Sequence, residues 1–234
     1  MQVAEYAPLK EKEQKTEPFL FIDDDISELF INEVEEGLKS IPGCVIDLLQ
    51  KEGYKICASR SVLRFRPDLK ETKISGRGEE TYTNVPAFCD YDNKRIVMAE
   101  ERIEYETKKA VKSEYIKESI RHEIGHALRG LLLTVINKEI SKELHKACEN
   151  DLAEMKLNLT KEEIRELNYF IQLDNPDGGI HEAFAEVFAD LYGGARWSGY
   201  QPFKKSFKEL RKLIKKIVQE IQKQSKPSVM SIAA

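Results

Sequence analysis

The spacing of apolar residues changes about midway along the chain, and the change predicts two halves of different architecture. Phe19, Leu20, Phe21 and Ile22 form a short apolar run that reads as a first strand. Ile26, Leu29, Phe30, Val34 and Leu38 then recur at helical spacing, with Asp25 as the predicted cap and Pro42-Gly43 as the stop. A second helix is predicted over residues 44–51. After Gly53, residues 54–58 alternate as a strand, and residues 60–80 read as a polar, mobile excursion with turn signals at Gly76 and Gly78. Residues 85–91 and 95–99 predict a hairpin about Asp92-Asn93. From residue 105 the helical period takes over. Helices are predicted through residue 133, over 140–157, over 160–173, after Gly179 and from 203. The predicted class is α+β, with a small, mostly antiparallel sheet in the N-terminal half and a helical C-terminal half.

Composition narrows the partners. The 234 residues are 41% hydrophobic and 33% charged, enough for one sizeable core, and the net charge of -4 is interspersed. A nucleic-acid-binding domain would show a basic surplus on one face, so that class is excluded. The longest apolar candidate, residues 131–136, is far short of the roughly 18 residues that a membrane span needs. Residues 1–17 are polar and charged, which predicts a disordered lead without a cleavable signal and a protein that is cytoplasmic or released by another route. Cys44, Cys57, Cys89 and Cys148 form no CxxC pair and read as small buried hydrophobes in a reduced setting.

The reactive chemistry is concentrated on two predicted helices. His122 and His126 stand four residues apart and project to one side, where two imidazoles can grip one metal ion, with Glu123 overlooking the cleft. Ile116, Ile120, Ile124, Leu128 and Leu131 form an apolar stripe on the opposite side. Gly125 costs about 1 kcal/mol relative to Ala inside a helix, which predicts close approach of another backbone or a substrate. A catalytic zinc site needs a third protein ligand and an open fourth position. In His181-Glu182-Ala183-Phe184-Ala185-Glu186, the carboxylates of Glu182 and Glu186 share a face, and Ala185 permits close helix approach. Glu182 is assigned as the third ligand and Glu186 as the carboxylate that accepts the free ring N–H of a ligand histidine. His181 is the rival ligand, with helix capping or cleft lining as its other roles.

These residue types predict a zinc-dependent endopeptidase acting on a protein or extended peptide. Zinc would acidify a water and polarise the scissile carbonyl, and Glu123 would take the proton and pass it to the leaving amine. Residues 97–99 are predicted to offer the strand edge on which the peptide binds. Beyond residue 203, Phe203, Phe207, Leu210, Ile214, Ile217 and Ile221 alternate with lysines, predicting a basic amphipathic helix packed on the domain.

His122-Glu123-Ile124-Gly125-His126-Ala127 together with Glu182-Ala183-Phe184-Ala185-Glu186 resembles the gluzincin family of anthrax lethal factor and the Pro-Pro endopeptidases. The resemblance implies a zincin-like metallopeptidase domain over residues 18–205, followed by the basic helix and tail at 206–234. It implies zinc held by His122, His126 and Glu182, with Glu186 outside them. The family's transition-state tyrosine lies seven residues before the ligand glutamate, where this chain has Asn175, so Tyr169 or Tyr192 is left as the donor. The longer interval between His126 and Glu182 implies a helical insertion at 139–158. Two alternatives are an intracellular regulatory metallopeptidase that cleaves a repressor-like partner and a catalytically silent interaction module on the same fold. Intact Glu123 argues against silence.

Overall fold

The structure, a computed structural model, describes residues 19–74, 78–136, 138–172 and 175–225. The predicted lead at 1–17, the turn signal at Gly76 and the tail at 226–234 lie outside them. The chain opens with strand β1 (Leu20–Ile22) and helices α1 (Glu28–Lys39) and α2 (Gly43–Lys51). Ser27, not Asp25, caps α1, its side chain accepting from the Phe30 N–H at 3.3 Å. Strand β2 (Lys55–Ser59) follows, and then the segment read as a polar excursion, which carries short 3-10 turns at Val62–Arg64 and Pro67–Leu69. Strands β3 (Ala87–Asp90) and β4 (Arg95–Ala99) form the predicted hairpin.

The sheet order is β1-β2-β4-β3. β1 pairs parallel with β2 and β2 parallel with β4, and only the β3–β4 ladder is antiparallel. The sheet is therefore mixed rather than mostly antiparallel, because the helices between β1 and β2 and the long segment between β2 and β4 act as crossovers that return the chain in the same direction. β4 sits inside, paired on both sides, and cannot present residues 97–99 as a free edge. Among the described residues, the edge at that side is β3.

A second hairpin pairs β5 (Glu101–Ile103) with β6 (Ala110–Lys112), and β6 stands where the long helix predicted from residue 105 should already have begun. The helix itself, α3, runs Ile116–Leu131, entered through Tyr115 in the left-handed region at φ 58°. Its predicted stripe, Ile116, Ile120, Ile124, Leu128 and Leu131, is buried. A π-helical turn at Leu132–Ile136 leads towards α4 (Lys138–Asn158), the predicted insertion. The helix predicted over 160–173 divides into α5 (Lys161–Glu166), capped by Thr160, and α6 (Asn168–Ile171). Next come α7 (Pro176–Leu191), α8 (Gln201–Ser206) and α9 (Lys208–Ser225).

One hydrophobic core joins α1, α2, the inner face of the sheet, α3, α7 and α9. The apolar stripe of α9, Leu210, Ile214, Ile217, Val218 and Ile221, is buried in it, and the lysines lie outward. Buried Asp151 of α4 accepts the Glu209 and Leu210 N–H groups, both at 2.9 Å, and so caps the start of α9 from across the fold. Asp190 of α7 receives Arg211, which ties α9 to the helix that carries Glu182. Among the described residues, no helix is long and apolar enough to cross a membrane.

Candidate active site

α3 and α7 cross where each has a small residue. A Cβ on Gly125 would stand 2.7 Å from Ala185 Cα and 3.0 Å from Ala185 O. The backbone whose approach Gly125 predicts is thus that of α7. At this separation the glutamates of α7 reach the histidines of α3.

His122, His126 and Glu182 each offer one atom, and the three atoms lie within 4.8 Å of one another. Glu182 Oε2 is 3.3 Å from His122 Nε2 and 3.5 Å from His126 Nε2. It is buried and has no hydrogen-bond partner among the described residues. A buried carboxylate oxygen without a partner is costly, and a cation seated between it and the two imidazoles would satisfy it. Two nitrogens and one carboxylate oxygen also make the donor set that zinc accepts in catalytic sites.

Glu186 stands behind His122. The His122 Nδ1–H donates to Glu186 Oε2 at 2.7 Å, and the Trp197 N–H donates to Glu186 Oε1 at 3.0 Å. The loop after α7 thereby anchors the carboxylate that orients the imidazole. Burial opposes a charge on His122, but Glu182 and Glu186 outweigh it and push its pKa up to about 10. Burial would raise the Glu182 carboxyl, yet His126 and His122 hold it well below the usual range. The cluster demands positive charge, which either a proton or a metal ion can supply.

Two adjoining pockets share Val85, Ala87, His122, Glu123 and Tyr169, so the cleft runs along the outer side of β3 and past the cluster. Glu123 is buried at its floor. Tyr169, from α6, lies on the cleft wall, whereas Tyr192 packs on Phe188 with ring centroids 4.9 Å apart and does not line either pocket. The reason is that Tyr192 ends α7 on the side that meets the core. Asn175 caps α7, its side chain accepting from the Gly178 N–H at 3.3 Å, and also lines the cleft.

His181 is engaged at both ring nitrogens, with Arg129 Nη1 2.9 Å from Nδ1 and Tyr91 Oη 2.7 Å from Nε2. It lines the cleft and does not join the three converging atoms. Burial, then His126 and Arg129, push its pKa down to about 3, so the ring is neutral. His145 pairs with Asp177 at 3.1 Å and lines neither pocket. Tyr91, Arg129 and Trp197 carry no motif spacing that marks them in the sequence.

No protein-family model matches the chain, and no curated protein is similar to it in sequence. Among solved structures it is similar to the Pro-Pro endopeptidase PPEP-2 from Paenibacillus alvei, with a TM-score of 0.52 and 17% identity, covering 85% of this chain and 97% of that one. Likeness at that identity establishes a shared fold.

Proposed function

We infer that the protein is a zinc-dependent endopeptidase that hydrolyses a protein or extended peptide lying along β3. The observation that carries this reading is the convergence of His122, His126 and Glu182 Oε2, which has no hydrogen-bond partner among the described residues, beside Glu123 on the floor of an open cleft. Likeness in fold to a peptidase supports it. His122, His126 and Glu182 would hold the metal, which when bound supplies Lewis acidity towards a water and the scissile carbonyl.

The chain's own groups do the rest. The open edge of β3 offers backbone N–H and C=O groups to an extended peptide, which places a carbonyl over the cluster. The Glu123 carboxylate takes a proton from the attacking water and delivers it to the leaving amine. Tyr169, on the cleft wall, is the donor that meets the developing oxyanion. Glu186 accepts from the His122 Nδ1–H and so leaves Nε2, the atom that faces Glu182, as the one that would hold the metal.

The test is reversible metal dependence. Zinc-loaded protein should cleave members of a diverse peptide library, lose that activity after chelation and regain it when one equivalent of zinc returns. Cleavage that persists in thoroughly metal-free protein would show the reading to be wrong.

A further inference from the structure

Three polar side chains beside the metal cluster form a chain that the hydrolytic mechanism leaves unused. Arg129 lies three residues beyond His126 on α3 and is only 9% exposed, and its Nε has no hydrogen-bond partner among the described residues. A guanidinium has donors and no acceptor. The 2.9 Å contact with His181 must therefore run from Arg129 Nη1–H to His181 Nδ1. A neutral imidazole that accepts at Nδ1 carries its hydrogen on Nε2. The 2.7 Å contact with Tyr91 must then run from His181 Nε2–H to Tyr91 Oη.

The consequence falls on the phenol. Its oxygen already accepts from His181, so its own proton points elsewhere. Within the chain the phenol shares a hydrogen bond with the Cys89 thiol, a weak acceptor that a carbonyl would outcompete. The other direction is the cleft, which Tyr91 lines together with His122, Glu123 and His126. Tyr91 is 38% exposed and directly follows β3, the edge strand. Its ring is held from beneath, because a Cβ on Gly130 would lie 2.8 Å from a ring carbon. A donor fixed in position and beside a free strand edge meets what an extended peptide offers there, a backbone carbonyl.

We propose that Tyr91 is a substrate-binding residue whose hydroxyl donates to a backbone carbonyl of the peptide on the Cys89–Tyr91 side of the scissile bond, and that His181 and Arg129 are positioning residues that aim its proton. The proposal rests on the peptidase reading. It makes three residues on β3's end, α3 and α7 one recognition unit.

The experiment is steady-state kinetics of the zinc-loaded full chain on its best library peptide, with zinc content measured in each variant. Tyr91→Phe removes only the hydroxyl and should raise KM roughly three- to tenfold, the loss of one hydrogen bond, with kcat within about twofold. His181→Gln should raise KM as well, and the double variant should be no worse than Tyr91→Phe alone. A second measurement does not depend on activity: imidazole nitrogen shifts at neutral pH should give His181 as the Nε2–H tautomer, and Arg129→Leu should mix the tautomers. Unchanged KM in Tyr91→Phe, or a His181 ring carrying its hydrogen on Nδ1, would overturn the proposal. A wild type that cleaves no peptide defeats the peptidase reading and this use of Tyr91 with it. A cleaving wild type beside an unaffected Tyr91→Phe defeats the proposal alone.

Discussion

Gly125 of α3 lies against Ala185 of α7 so closely that a methyl group there would meet the Ala185 Cα at 2.7 Å. The two helices that carry the cluster depend on this contact for their separation. Gly125→Ala improves helix propensity by about 1 kcal/mol. Overpacking against backbone costs about 1–3 kcal/mol and moves Glu182 away from the histidines. The expected result is a lower melting temperature and weaker zinc binding, read by thermal unfolding and metal competition. An unchanged melting temperature with undiminished zinc affinity would show that the contact is not limiting.

Glu186 meets the three converging side chains at His122 and lines the cleft beside it. Glu186→Ala should weaken zinc binding by roughly 10–100-fold, because the imidazole loses the acceptor that fixes its tautomer and Trp197 loses its anchor. Titration of zinc against a chelator of known affinity measures this.

Glu100 links α1 to the second hairpin. It accepts from Ser27 Oγ at 2.6 Å and from Lys112 Nζ at 2.6 Å, with its side chain 3% exposed. Burial alone would raise its pKa, but the hydrogen bonds from Lys112 and Ser27 outweigh it and hold the pKa below the ordinary 4.5. A carboxyl whose folded pKa is lowered contributes stability that is present above 4.5 and lost as the pH falls through the folded value. Glu100→Gln should therefore cost about 1–3 kcal/mol at pH 7, with a gap that closes as the medium is acidified below 4.5. Urea denaturation of both proteins from pH 7 to pH 3 reads the gap, and a constant gap would contradict the assignment.

Asp151 caps α9 from α4. Asp151→Ala should lose about 0.5–2 kcal/mol, the usual worth of a helix cap, which in a domain of this size lowers the melting temperature by a few degrees. Zinc content should stay at the wild-type level, since the cap lies in the packing of α4 on α9 and not in the cleft.

How far these features could be read from the sequence depends on their range along it. His122, Glu123 and His126 are legible because four-residue spacing on a helix puts them together without any tertiary knowledge. Glu182 and Glu186 are legible as a shared helix face, and Gly125 as a conformational cost that asks for a reason. Ser27 and Asp25 are both good caps, and only the Phe30 N–H decides between them. β6 is hidden inside the helix predicted from residue 105 because a three-residue strand is too short to show an alternation of its own. That β4 is internal and β3 the edge is not legible in the sequence, because strand order is set by crossovers and not by local pattern. Tyr91, Arg129 and His181 meet only through contacts 52 and 90 residues long in sequence, so nothing local marks them as a unit.

The most direct test of the account is cleavage by zinc-loaded Glu123→Gln, a variant that keeps His122, His126 and Glu182. The account predicts near-stoichiometric zinc in both proteins and a loss of roughly 10²–10⁴-fold in kcat, the contribution of a positioned general base. Zinc-bound variant protein that cleaves the same peptides at the wild-type rate would contradict it.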